Sequence, residues 1–207
     1  MNHNWILNWF WAGSLGVLSF LASGCNAPPA DAPTEPASET TEAVDSPDAA
    51  DPAADQITVN SANVEQYQQL VDSHQGKVVL VDFWATWCPP CKMQFPHTVK
   101  LSHAHKDDGL AVISVSFDDP EAKEDVLAFL RKQNADFENL MSEFGSGVDS
   151  PEKFDIAGGA VPFYKLYDRS GKLRHEFSGD PEGIEGTEPI DTIDARVAEL
   201  LAESSSN

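Results

Sequence analysis

Hydrophobic residues along the chain fall into three regimes. Residues 5–22 form an uncharged apolar run whose most polar member is Asn8. Residues 26–55 hold a single sizeable apolar residue, Val44. From Ile57 onward, strand-like and helix-like patterns alternate. Ile57 to Val59 is a short apolar start. Asn63–His74 carries Val64, Tyr67, Leu70 and Val71 at helical spacing. Val78–Trp84 is a near-continuous apolar run of the kind buried on both faces of a sheet. A helix is expected from about Pro89 to Lys106, then a second buried strand over Leu110–Phe117. Asp118-Asp119-Pro120 opens a helix to Gln133, with Asp119 as cap and Pro120 in the first position. Val161–Tyr167, the turn Asp168–Gly171 and Leu173–Ser178 predict a β-hairpin. Ile190–Glu203, with Ile190, Ile193, Val197, Leu200 and Leu201, predicts a closing amphipathic helix. Strands alternating with helices and ending in a hairpin imply an α/β sandwich, a mixed central sheet flanked by helices.

Charge divides the chain the same way. There are 13 Lys+Arg against 34 Asp+Glu, a formal net of −21. Such a surface repels phosphate backbones and excludes nucleic acid as a partner. The first basic residue is Lys77. Residues 26–55 contain nine Ala, six Pro and eight acidic residues, too little apolar surface to offset the entropy of ordering. We read 26–56 as a disordered linker spanning roughly 30 Å, and 57–207 as the folded domain.

Residues 1–25 read as a secretory signal, an apolar core ending in small residues. Leu21-Ala22-Ser23-Gly24-Cys25 resembles a bacterial lipobox, which implies that Cys25 is lipidated and becomes the mature N-terminus. It departs from that pattern at Ala22, where leucine is usual, and in lacking Lys or Arg before the apolar run. The alternative is an uncleaved membrane anchor, since about 18 apolar residues is near the minimum for a span. Both readings attach the chain to a membrane and place the domain outside the cytoplasm.

The other two cysteines, Cys88 and Cys91, lie three apart where a buried strand passes into a helix. Unpaired N–H groups and the helix dipole at that junction favour an anion, here a Cys88 thiolate. Cys91 is one turn on, within reach of a disulfide. Pro89 and Pro90 remove N–H groups that lack helical partners anyway and restrain the loop. Two other readings compete. A zinc site needs two further ligands, and no second cysteine pair exists; His97, His103 and His105 are poorly spaced for the task. An inert structural disulfide closing so short a loop would add little stability. The histidines, His74 and His175 included, are read as solvated surface, as is the loop Gly179–Pro189.

Val81-Asp-Phe-Trp-Ala-Thr-Trp-Cys-Pro-Pro-Cys-Lys92 resembles the active-site stretch of the thioredoxin superfamily. With the N-terminal signal, it is most similar to the TlpA/ResA-like branch. Pro96 matches the proline inside that family's active-site helix, and Val161-Pro162 its cis-proline segment. The resemblance covers about residues 57–203 and implies a thioredoxin-like fold with an insertion near Asp118–Phe154. It implies that Cys88 is the nucleophile and Cys91 the resolving thiol. Asp82, interrupting an apolar strand, is the candidate proton acceptor, since burial would raise its pKa toward neutrality. Val161 and Pro162 would expose backbone to an extended substrate. Trp84 is expected in the core and Trp87 beside the substrate. Two positions depart from the branch. Gln94 stands where relatives often carry glutamate, and Phe163 where threonine usually follows the proline.

The implied activity is thiol–disulfide exchange, as a reductase of extracytoplasmic protein disulfides, re-reduced by a membrane electron donor. Its cofactor would be nothing more than the redox-active Cys88–Cys91 disulfide. The family implies apocytochrome c or copper-site proteins as targets. The rivals are an oxidase or isomerase on the same scaffold and a Cu(I) metallochaperone.

Overall fold

The computed structural model describes residues 56–203; the expected signal, Cys25 and all of the linker before Gln56 lie outside them. Seven strands and five helices follow in chain order: β1 (Asn60–Ala62), α1 (Val64–Ser73), β2 (Val78–Trp84), α2 (Pro89–His105), β3 (Leu110–Ser116), α3 (Lys123–Gln133), β4 (Glu138–Ser142), α4 (Asp149–Lys153), β5 (Phe163–Tyr167), β6 (Leu173–Ser178), β7 (Glu188–Pro189) and α5 (Ile193–Ala202). One mixed sheet is formed in the order β1-β4-β3-β2-β5-β6-β7. β1, β4, β3 and β2 run parallel, β5 is antiparallel to both β2 and β6, and β7 runs parallel to β6.

Side-chain alternation assigns the two faces. Val79, Val81 and Phe83 of β2 join Ile113 and Val115 of β3, and α1 covers them with Tyr67 and Val71. Val78, Leu80 and Trp84 point the other way. There α2 and α3 cover the cysteine end with Phe95, Val99, Val126 and Leu130, and α5 covers the remainder with Ile193, Val197 and Leu200. Each such side chain taken out of water contributes about 1.5–3 kcal/mol. β2 is buried at every position, Asp82 included, as its near-continuous apolar run predicts.

Local chemistry sets the ends of the elements. Asn63 caps α1 in a reciprocal box: its side chain accepts from Gln66 N–H, and Gln66 Oε1 accepts from Asn63 N–H, both at 3.0 Å. Asn134 ends α3 in the left-handed region at φ 55°. In the β5–β6 turn, Asp168 Oδ1 accepts from the N–H groups of Ser170 and Lys172, and Gly171 supplies φ +81°.

The short apolar start Ile57–Val59 buries Ile57 and Val59 in the core cluster of Trp84, ahead of the first strand at Asn60–Ala62. Three expectations are corrected. Asp119 makes no side-chain cap, and Pro120–Ala122 is a 3₁₀ turn before α3 begins at Lys123. The insertion contains an unforeseen strand, β4, whose mixed sequence Glu-Asn-Leu-Met-Ser hides a parallel partner of β3. The loop after β6 is not wholly solvated: it forms β7, and Glu188 there binds His175 at 2.7 Å and Arg196 at 2.8 Å.

Candidate active site

β2 ends at Trp84, and Ala85-Thr86-Trp87 carries the chain to the N-terminus of α2. Cys88 is the N-cap residue of that helix, with extended backbone, and Pro89 and Pro90 fill the first two helical positions. Proline fits there because those N–H groups would have no intrahelical partner. Cys88 and Cys91 form a disulfide, and Cys88 Sγ also accepts the Cys91 N–H at 3.2 Å. The first available helix N–H is therefore aimed at the sulfur that would carry charge in the reduced protein. Cys88 is 4% exposed and Cys91 1%, so an attacking group reaches Cys88 first. Pro96 lies inside α2.

The Val161–Pro162 peptide bond is cis, and the Val161 carbonyl oxygen lies 3.6 Å from Cys88 Sγ. Gly179 backs this segment. Its N–H donates to the Pro162 carbonyl at 3.0 Å, and a Cβ there would sit 2.6 Å from Pro162 Cγ. Beside Cys88 opens a groove of about 380 Å³, lined by Trp87, Phe117, Val148, Pro151, Ala160 and Val161 among others. Trp87 is 54% and Val148 79% exposed, so apolar surface meets solvent beside the sulfur. Trp84 is fully buried, with ring centroids 4.7 Å from Phe95 and 4.8 Å from Phe129.

Two adjacent carboxylates hold the walls of that groove. Asp118 is buried at the end of β3 and accepts from Thr86 N–H at 2.9 Å, Thr86 Oγ1 and Ser116 Oγ, fixing the loop that carries Trp87. Asp119, exposed, accepts from Ser146 N–H at 2.8 Å and Ser146 Oγ at 2.9 Å, fixing the loop before Val148. Those bonds hold the Asp119 carboxyl below its usual range. Gly145 passes this point at φ +74°, where a Cβ would lie 2.6 Å from Asp119 Oδ1.

Asp82 lies beneath α2, 1% exposed. Its Oδ2 accepts from Thr98 Oγ1 at 2.6 Å, and its Oδ1 has no hydrogen-bond partner among the described residues. Burial pushes its pKa up to about 7, against the smaller, opposing pull of the Thr98 and Tyr164 hydroxyls. Tyr164 stands directly opposite on β5 but makes no hydrogen bond of ordinary geometry. Gln94 is half-buried on α2.

The structure thus brings Cys88, Cys91, Trp87, Pro89, Pro90, Val161 and Pro162 together at one end of the sheet, with Asp82 below. Sequence reasoning missed Thr98, Tyr164, Asp118, Ser146 and Val148. A polar residue seven after Cys91, on the buried face of α2, was a readable signal for Thr98; the others depend on strand register and loop path. Of the histidines expected on solvated surface, His97, His103 and His105 do reach solvent, whereas His74 and His175 mostly do not. His74, His97, His103, His105 and His175 each lie within 3.4 Å of a carboxylate, and His74 and His175 are mostly buried.

Comparison with known proteins gives this arrangement relatives. The thiol-disulfide oxidoreductase ResA of Oceanobacillus iheyensis is 37% identical over 66 residues, 32% of this chain and 34% of the relative. The thiol:disulfide interchange protein HelX of Rhodobacter capsulatus is 28% identical over 130 residues, 62% of this chain and 67% of the relative. The match therefore spans about a third of the ResA length and two thirds of HelX. Among solved structures, a thioredoxin-like superfamily protein superposes with a TM-score of 0.52 at 25% identity, covering 64% of this chain and 85% of its own. The AhpC/TSA family model matches residues 50–184, which contain Cys88 and Cys91, the cis-proline segment and six of the seven strands, so with its thioredoxin-like fold and ResA- and HelX-type relatives this chain belongs to the AhpC/TSA family.

Proposed function

We propose that this protein is a thiol–disulfide oxidoreductase that reduces protein disulfides outside the cytoplasm. The observation that carries the reading is the Cys88–Cys91 disulfide at the N-terminus of α2, with Cys88 Sγ against the Val161 carbonyl and beside an open apolar groove. The names of the ResA- and HelX-type relatives support it.

In the reduced protein the Cys88 thiolate, stabilised by the Cys91 N–H and the helix dipole, attacks one sulfur of a substrate disulfide. The substrate S–S bond breaks, a Cys88–substrate bond forms, and the first substrate thiolate leaves and takes a proton. Asp82 accepts the Cys91 proton, and the Cys91 thiolate attacks Cys88 Sγ. The second substrate thiol is released and the Cys88–Cys91 disulfide remains. Two electrons have moved from the cysteine pair to the substrate, and the oxidised pair is the state of this structure. An external dithiol, supplied by a membrane electron donor, must reduce it again. An extended substrate lies along Val161, pairing with its backbone as an added strand, and places a neighbouring side chain between Trp87 and Val148.

The rest of the reading rests on the sequence. Residues 1–25 export the chain and tether it, through lipid on Cys25 or as an anchor, and residues 26–56 hold the domain clear of the membrane. Apocytochrome c and copper-site proteins are the targets the family resemblance favours. Among the described residues, no helix is long and apolar enough to cross a membrane.

Trapping tests the reading. Cys91→Ser should accumulate mixed disulfides on Cys88 with substrate proteins, while Cys88→Ser should accumulate none. Equal, absent adducts in both would overturn it. Equilibration with a glutathione buffer sets direction: a potential well below that of the buffer fits a reductase.

A further inference from the structure

We propose that Thr98 and Tyr164 are positioning residues for the resolving step: the Thr98 hydroxyl orients the Asp82 carboxyl, and the Thr98 and Tyr164 hydroxyls stabilise its anion where, among the described residues, no cation does so. This rests on the assignment of Asp82 as the proton acceptor for Cys91.

The argument begins with strand register. Asn139, Ser114, Asp82 and Tyr164 are directly paired across β4, β3, β2 and β5. Residues paired this way share a face, so a buried polar row crosses the sheet under α2. Ser114 spends its only hydrogen on Asn139 Oδ1 at 2.7 Å, and Asn139 donates to the carbonyls of Ala135 and Phe137. A serine hydroxyl has one proton, so Ser114 cannot also donate to Asp82. The other element packed on this part of β2 is α5, which presents Ile193, Val197 and Leu200. Lys165, the neighbour of Tyr164, points to the opposite face and donates to the Phe154 carbonyl at 3.1 Å. The groups left to act on the carboxylate are Thr98 from α2 and Tyr164 from β5, in keeping with the two hydroxyls that oppose its desolvation.

Their geometry suits a base. Thr98 anchors Oδ2 and fixes the carboxyl rotamer, while Oδ1 keeps its lone pairs free. Thr98 lies seven residues after Cys91, two helical turns along the same face of α2, and both are 1% exposed. One helix face therefore carries the thiol to be deprotonated and the donor that aims its acceptor. Tyr164 is itself held well above its ordinary pKa by burial and by Asp82. It stays protonated across the working range, a fixed dipole beside the carboxylate.

The full chain, reduced and mixed with an aromatic disulfide reagent, gives a two-step readout. Release of the first aromatic thiolate reports Cys88 attack; release of the second reports resolution by Cys91. In Thr98→Val, the pH midpoint of the second release should rise by about one unit, a tenfold loss of ionised Asp82 at pH values below both midpoints. Thr98→Ser should restore it. Tyr164→Phe should raise it by about half a unit, through loss of the dipole alone. The first release should stay within about twofold in all three. The infrared band of a protonated buried carboxyl should persist to higher pH in Thr98→Val than in the parent, and vanish in Asp82→Asn. Unmoved midpoints in folded Thr98→Val and Tyr164→Phe would overturn the proposal and leave Asp82 as the base. An unmoved profile in Asp82→Asn would overturn both. A shift in Thr98→Ser as large as in Thr98→Val would reduce Thr98 to packing.

Discussion

The two faces of the sheet bury polar groups in different ways. On the α1 face, the Tyr67 and Tyr167 hydroxyls bind each other at 2.6 Å, and Lys165 Nζ meets the Phe154 carbonyl at 3.1 Å and Glu176 at 3.4 Å. Each such group has found a partner. On the α2 face, Asp82 Oδ1, Trp84 Nε1 and Tyr164 OH have none among the described residues; the other two such atoms are Nε2 of His74, at the end of α1 and 3.4 Å from Glu138, and Nε2 of His175 on β6. An unpartnered buried polar atom costs about 1–3 kcal/mol. Trp84 shares a core cluster with Cys88 and Cys91, and Asp82, two positions before it on β2, is paired with Tyr164; these three mark a place where the fold carries a cost for chemistry, whereas the paired groups on the opposite face serve packing.

The largest test of that contrast is Asp82→Asn. A carboxyl raised from 3.8 to about 7 by folding contributes its stability fully only below its unfolded value. That contribution is lost as pH climbs from about 4 through 7, because the folded state resists ionisation. At one unit per 1.36 kcal/mol, the ionised group costs about 4 kcal/mol at pH 8. Asp82→Asn should therefore be relatively more stable than the parent at pH 8 than at pH 4, in paired denaturant titrations. Its resolving step should slow by about 10²–10⁴-fold near neutrality. Parallel stability curves across that range would mean the carboxyl is not desolvated, and the contrast between faces would collapse.

Tyr67→Phe probes the other face. It leaves the Tyr167 hydroxyl buried without its partner, at a cost of about 1–3 kcal/mol. The double variant Tyr67→Phe with Tyr167→Phe should recover most of that loss, since replacing both partners removes the orphan. Neither should alter the rate or pH midpoint of resolution. A shifted midpoint would show that the α1 face also takes part in the chemistry.

What could be read from the chain follows the same division. The Cys88–Cys91 pair, the helix they open and Asp82 in its apolar strand announce themselves locally, because each breaks or ends a periodic pattern. Val161-Pro162 was legible only through its resemblance to the family's cis-proline segment, since a proline at the mouth of a strand is by itself commonplace. The partners were not. Tyr164 reads as one more aromatic in β5 until antiparallel pairing sets it opposite Asp82, and no local signal fixes that register. β4 escaped notice because its buried Asn139 and Ser142 interrupt the apolar run; both are bonded across space, to Ser114 and Ser150. Asp119 looked like a helix cap because Asp-Pro is a sound cap signal. Its carboxylate instead goes to Ser146, 27 residues away.

Ser114→Ala makes the smallest and most discriminating change. Ser114 sits on the α2 face, directly paired with Asp82, so a rule based on face alone would assign it to the chemistry. Its hydroxyl is fully committed to Asn139, however, and is not among the groups that shift Asp82. Removing it should cost about 1 kcal/mol, the net worth of one buried hydrogen bond. The pH midpoint of resolution should stay where it is. That outcome would show that what separates chemistry from packing is whether a buried polar group acts on the Asp82 carboxyl, not which side of the sheet it occupies. A midpoint moved as far as in Thr98→Val would mean that the row from Asn139 to Tyr164 titrates as one unit, with Ser114 relaying charge along it.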